Sequence, residues 1–160
     1  MRRRKTSFLT QSAVIAALYV VLTEISVLMG ISNGVIQLRL SEMLAVLPIF
    51  TPAAIPGLFI GCFISNIFAG GIIWDVIFGS IATILGAYGT YLLRKKSVYL
   101  APVPTVFTNM AIIPFVLRFA YGTEGSLLFF ALTVGIGEIL TAGVMGTFLA
   151  KTLKKHKIEF

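Results

Sequence analysis

The chain has 160 residues, 58% of them hydrophobic and only 12% charged, with a mean hydropathy of +0.98. So apolar a composition excludes an ordinary water-soluble domain. The formal net charge of +7 does not point to nucleic acid, because the basic residues form three short clusters that flank apolar runs and carry no interleaved aromatic residues.

Taken in chain order, Arg2-Arg-Arg-Lys5 precedes a first apolar segment at about residues 8–30. Its length suits a full bilayer crossing rather than the shorter apolar core of a cleaved signal, which predicts a retained first helix. A short second segment, about 40–50, ends at the Pro52–Pro56 break, and a third covers about 53–69. After the Gly70-Gly71 link a fourth runs 75–93 and stops at Arg94-Lys95-Lys96. The fifth covers about 100–121 and the sixth about 126–150, ending at Lys151. These segments predict an all-α, polytopic, six-helix bundle forming one transmembrane domain over 1–160. The uncharged turn Phe50-Thr51-Pro52-Ala53 is expected within or just below the membrane, where irregular backbone must be covered by protein. Placing the clusters at 2–5, 94–96 and 151–157 in the cytoplasm satisfies the positive-inside rule, puts both termini there, and leaves 32–38, Gly70-Gly71 and 122–125 on the outer face. Small residues at helical spacing (Ala13 and Ala17, Gly57 and Gly61, Gly79 and Thr83, Ala142 and Gly146) predict close helix packing inside the bundle or against a partner.

Ionisable groups inside apolar segments cost about 2.5–3.5 kcal/mol each near the bilayer centre, so each must be paired, solvated or functional. Glu24, Arg39, Glu42, Asp75 and Arg118 fall in the outer half, and Glu138 about midway along the sixth segment. Arg39 and Glu42, three residues apart, are spaced to pair on one helical face. Asp75 is spaced either to cap its helix or to meet a ligand. Glu138 has glycines beside it and no cation within a turn. With Asn109, on a helix that Pro114 is expected to bend, it offers acceptors and donors for a flat, nitrogen-rich ligand or for an interhelical hydrogen bond. Trp74 has two readings, an aromatic-belt anchor and a ligand-stacking ring.

Several chemistries are missing. The sequence has no HExxH, CxxC, GxSxG or P-loop; the stretch from Gly146 to Thr152 lacks the glycine before its lysine and a preceding strand. Cys62 is a single cysteine expected as a small buried hydrophobe, and His156 lies in a basic, solvated tail. No cofactor or metal is expected.

The run Ile36-Gln-Leu-Arg-Leu-Ser-Glu42, Leu47-Pro48, the stretch Ile55 to Gly61 with Asn66, the stretch Asp75 to Thr83, and Gly137-Glu138 resemble the QueT family, substrate-binding S components of energy-coupling factor (ECF) transporters. The likeness covers nearly the whole chain. It implies uptake of a queuosine precursor, a 7-deazaguanine such as preQ1 or preQ0 or the free base queuine. It also implies a transmembrane coupling subunit docked on Ala13 and Ala17 and two partner ATPases. Within that frame Glu138 would receive the ring's N1 and N2 hydrogens, Asn109 would read its O6 edge, Asp75 or Glu42 would meet a cationic aminomethyl group, and Trp74 or Tyr121 would stack on the ring; Arg39 and Asn66 are further binding candidates. The rival readings are an S component for another vitamin-like solute, a membrane-embedded enzyme using paired carboxylates, and a purely structural subunit.

Overall fold

The computed structural model describes residues 2–32 and 36–156, with backbone alone for 2–5. Residues 33–35 of the first outer loop and Lys157 of the last basic cluster, both invoked above, lie outside the described residues, as do the side chains of Arg2–Lys5. All regular secondary structure among the described residues is helical, with no strand. In order they form α1 (Arg2–Leu28), a 3-10 helix (Leu40–Ile49), α2 (Ala54–Phe68), α3 (Ile73–Leu92), α4 (Val103–Phe115), α5 (Leu127–Glu138) and α6 (Gly146–Lys155). A short 3-10 turn, Val98–Leu100, leads into α4. A π turn, Val116–Ala120, extends α4, and a π segment, Ile139–Met145, joins α5 to α6 in one rod. Six apolar rods result. Four of them are long and apolar enough to cross a membrane: Thr6–Leu28, Ile73–Leu92, Val98–Ala120 and Leu127–Lys155.

The expected second helix differs in kind. Its ten residues wind as a 3-10 helix with Pro48 inside. At a rise of roughly 2 Å per residue it spans about 20 Å, short of a hydrocarbon core of about 30 Å. With α2 at 15 residues, this pair meets in the Thr51–Ala53 turn, which is covered by protein: the Ser12 hydroxyl donates to the Ala53 carbonyl at 2.9 Å and the Thr51 hydroxyl donates to Gln11 Oε1 at 2.9 Å.

The burial pattern is inverted relative to a soluble protein. Leu28, Phe107, Phe119 and Phe148 are among many large apolar side chains facing outward, while Ser26, Ser41, Asn66, Thr90, Thr105 and Glu42 are buried. Outward apolar surface is what lipid solvates, and with no hydrophobic force between helices, association rests on packing and interior hydrogen bonds. α1 presents Ser12, Ile15, Ala16, Tyr19, Thr23 and Ser26 to the interior. Gly57 and Gly61 let α2 lie directly on that face: a Cβ on Gly57 would stand 2.8 Å from the Ser12 carbonyl oxygen, and one on Gly61 2.7 Å from Tyr19 Cβ. Gly146 admits the 3-10 helix in the same way, through Val46 and the Met43 carbonyl, and Gly79 admits the Asn66 amide. Three of the four small-residue pairs thus pack internally, whereas Ala13 and Ala17 are exposed on the far face of α1.

Gly61→Val would force apart the two most closely packed helices. A loss of about 1–3 kcal/mol is expected, read as a lower midpoint of thermal unfolding in detergent than for Gly61→Ala.

Candidate functional site

Arg39 ends the extended stretch before the 3-10 helix, with φ −105° and ψ 108°. This stretch reaches into the bundle because Gly137 of α5 has no side chain: a Cβ there would collide with the Gln37 carbonyl oxygen. The space expected beside Glu138 is therefore occupied, by the Gln37 backbone at Gly137 and by the Met110 side chain at Gly135. The 3-10 helix is pinned to α1 by two hydroxyls, the Leu40 amide donating to Ser26 Oγ at 2.9 Å and Thr23 Oγ1 donating to Ser41 Oγ at 2.8 Å.

From this position Arg39 does not pair with Glu42, as helical spacing suggested. The spacing rule presumes that both residues are helical, and here Arg39 is extended and lies ahead of the first turn. Its Nη1 donates to Asn66 Oδ1 at 3.0 Å, and its Nη2 lies 3.8 Å from Asp75 Oδ2. Asn66, itself buried, donates to the Asp75 carbonyl oxygen at 3.3 Å and to Cys62 Sγ at 3.6 Å. α3 starts at Ile73, two residues before the expected start, with Ile72 as its cap. Asp75 therefore lies in the first turn, favourably placed for the helix dipole. Its carboxylate accepts from the Tyr121 hydroxyl at 3.0 Å instead of capping the helix. Glu42 accepts a hydrogen bond from the Tyr19 hydroxyl.

Asn109 Nδ2 donates to Glu138 Oε1 at 2.7 Å, so the expected interhelical hydrogen bond is formed. It uses one carboxylate oxygen only. Glu42 Oε2 and Glu138 Oε2 are both buried without a hydrogen-bond partner. Pitch changes flank this pair of helices. The π turn of α4 begins two residues after Pro114, and the π segment after α5 begins immediately after Glu138. π turns of this kind recur at functional sites.

These groups surround two joined spaces. A cavity of about 520 Å3 is lined by Thr23, Gln37, Arg39, Asn66, Asp75, Tyr121, Glu124, Phe129 and Phe130, among others. A chamber of about 30 Å3 adjoins it, bounded by Glu42, Cys62, Thr83, Asn109 and Glu138 and sharing Gln37, Arg39, Ile113 and Val134 with the larger space. A few hundred Å3 with a small number of convergent polar groups is the usual form of a small-molecule site. Seven of the eight candidate residues named from sequence, Arg39, Glu42, Asn66, Asp75, Asn109, Tyr121 and Glu138, line one or other space. Trp74 does not. It stacks on Phe78 with centroids 6.0 Å apart and borders a separate apolar groove with Phe115 and Phe119. Gln37, Tyr19, Phe129 and Phe130 were not singled out from sequence. Two of them carry a readable signal: Gln37 lies in the Ile36–Glu42 run that bears the resemblance, and Tyr19 shares one helical face with Ser12, Thr23 and Ser26.

A model of the QueT transporter family matches residues 9–155. The chain belongs to the QueT transporter family. This is a family of transporters, not enzymes, and the chain is accordingly a multi-pass membrane protein. A protein named queuosine precursor transporter QueT from Lactococcus lactis subsp. cremoris (strain MG1363) is 42% identical over 86 residues, 53% of this chain and 50% of that relative. The match thus spans about half the length of the curated relative. No solved structure matches. In this QueT family member the Arg39–Asp75 pair and the Asn66 amide line the larger space, and the two carboxylates with an unpartnered oxygen, Glu42 and Glu138, line the small chamber beside it.

The Arg39–Asp75 pair is testable by a double-mutant cycle. Arg39→Gln and Asp75→Asn should each destabilise the protein, and the double variant should recover part of the loss. A coupling of about 1–2 kcal/mol in thermal or denaturant unfolding is expected for charges sharing one network.

Proposed function

We propose that this protein is the membrane-embedded substrate-binding S component of an ECF-type importer and that its cargo is a queuosine precursor. The observation that carries the reading is Glu138: a carboxylate steadied by Asn109, with its second oxygen buried and unpartnered at the inner end of the cavity. A buried acceptor without a donor costs about 1–3 kcal/mol, more for a charged group, so it marks where a ligand donor belongs. The N1–H and N2–H edge of a 7-deazaguanine supplies two parallel donors to one carboxylate, the arrangement that makes such contacts strong. The relative's name supports the same cargo class.

In this reading Asn109 and Gln37 read the O6 edge, Arg39, Asn66 and Asp75 shape the wall, and Tyr121, Phe129 and Phe130 supply rings beside the base. Tyr121 takes the stacking role over Trp74, which faces the apolar groove. The sequence contains no nucleotide-binding motif, so accumulation against a gradient needs energising partners: a transmembrane coupling subunit and two ATPases. The exposed Ala13 and Ala17 on α1 form a flat face on which the coupling subunit can approach closely. Both termini lie in the cytoplasm, by the distribution of Lys and Arg.

Calorimetric titration of the purified protein should give saturable binding of a 7-deazaguanine and much weaker binding of guanine. Glu138→Gln should weaken binding by about tenfold or more, in keeping with loss of a charged acceptor, and Trp74→Phe should leave affinity within about twofold. Silence from every deazaguanine in a folded sample refutes the cargo. Co-purification with the coupling subunit tests the partner assignment: Ala17→Leu should abolish the complex while ligand affinity stays unchanged, and an intact complex would remove Ala17 from the interface.

A further inference from the structure

α3 and α4 touch at one end and part at the other. Beside the Arg94–Lys96 cluster they pack through glycines: a Cβ on Gly86 would stand 2.8 Å from Thr105 Cα, and one on Gly89 2.6 Å from Pro104 Cβ. Towards the opposite end Pro114 removes a backbone donor from α4, the π turn Val116–Ala120 follows, and the helix changes path. There the two helices border an apolar groove of about 490 Å3. Trp74 and Phe78 stack along α3 with centroids 6.0 Å apart, and Phe115 and Phe119 along α4 at 6.3 Å, so the groove has aromatic walls. Val116 is buried at its back, and Ala111 and Ala120 project little into it.

In a membrane a gap of this kind does not stay empty, since atoms lining a void lose their packing partners. What fills it is set by its size. From Trp74 to Ile81 is seven residues of helix, about 10 Å, and nine residues line the whole groove. A stable contact with a second protein takes roughly 20–30 residues on each side. A helix with its side chains is about 10–12 Å across, too wide for a slot between two helices that touch at one end. A single hydrocarbon chain fits. The depth agrees with this occupant. Trp74, in the first turn of α3 and 53% exposed, stands at the end away from Arg94–Lys96, so the groove runs from the interface towards the membrane centre. The Trp74 indole N–H makes no hydrogen bond among the described residues, which leaves an interfacial donor at the groove's mouth.

We propose that the groove between α3 and α4 binds one acyl chain of a phospholipid from the leaflet opposite the basic clusters, with the Trp74 N–H donating to the lipid's ester carbonyl. On the other side of α4, Ile113, Leu117 and Tyr121 line the polar cavity, and the Tyr121 hydroxyl donates to Asp75 of α3 at 3.0 Å. The bound chain thus sets the spacing of the two helices that this hydrogen bond joins. The site needs neither the cargo nor the partners proposed above.

Trp74 is the one tryptophan of the sequence, so its fluorescence reports the site. The full chain, purified in detergent and stripped of lipid, is titrated with a phosphatidylglycerol brominated on one acyl chain, bromine being a contact quencher. The wild type should show saturable quenching. Ala111→Phe, which fills the groove, should weaken the midpoint about tenfold or more, whereas Leu132→Phe, a lipid-facing change on α5, should leave it within about twofold. Quenching that rises with lipid without saturating, alike in the wild type and Ala111→Phe, means annular lipid only and overturns the proposal. So does a wild type that is dimeric in lipid-free detergent and is made monomeric by Ala111→Phe, since a second copy then occupies the groove. Should Ala111→Phe not fold, Ala120→Leu fills the same groove and carries the same expectation.

Discussion

A guanidinium inside a membrane bundle must be neutralised where it stands, and the arrangement of this protein follows from how Arg39 meets that demand. Its partners come from two other helices, Asn66 of α2 and Asp75 of α3, and Asp75 in turn accepts from Tyr121 beyond α4. One side chain thereby ties four parts of the chain together. The tie holds the 3-10 helix inside the bundle, although this helix is too short to cross a bilayer, and so brings Glu42 into a chamber otherwise built by longer helices.

Glycines determine how closely this can be done. Gly79 gives room to the Asn66 amide, Gly137 to the Gln37 backbone, and Gly57 and Gly61 to α1. Because lipid offers helices no hydrophobic reason to associate, such close approach and the hydroxyl and amide bonds behind it stand in for an oily core. Nearly all interior polar groups find partners in one another. Among the described residues, the exceptions are single oxygens on Glu24, Glu42, Thr105 and Glu138, and two of the four open on the same chamber.

Much of this was legible in the sequence. Apolar length and charge breaks located six rods, and the cost of ionisable groups in lipid singled out Arg39, Glu42, Asp75 and Glu138. Of the two alternatives open for Asn109 and Glu138, a shared ligand or an interhelical hydrogen bond, the hydrogen bond is formed. What could not be read was pairing across long separations. Arg39 and Asp75 are distant in sequence, and local spacing favoured Glu42 only on the assumption that Arg39 is itself helical. Trp74 and Asp75 are neighbours, but on a helix adjacent residues diverge by roughly 100°, so one faces the cavity and the other the apolar groove. The two π segments have no composition of their own. Pro114 announces a change of path without stating its form.

The transport reading joins these physical features to the family to which the chain belongs. A transporter needs a site for its cargo, and the cavity lined by Arg39, Asp75, Tyr121 and Phe130 is of a size and polarity to be one. The measurement that tests the central claim most directly is an experimental structure of the protein with a 7-deazaguanine bound. The account predicts the base inside the cavity, with its N1–H and N2–H edge within hydrogen-bond distance of Glu138 Oε2. A base seated elsewhere, or one that leaves Glu138 Oε2 without a donor, would contradict it.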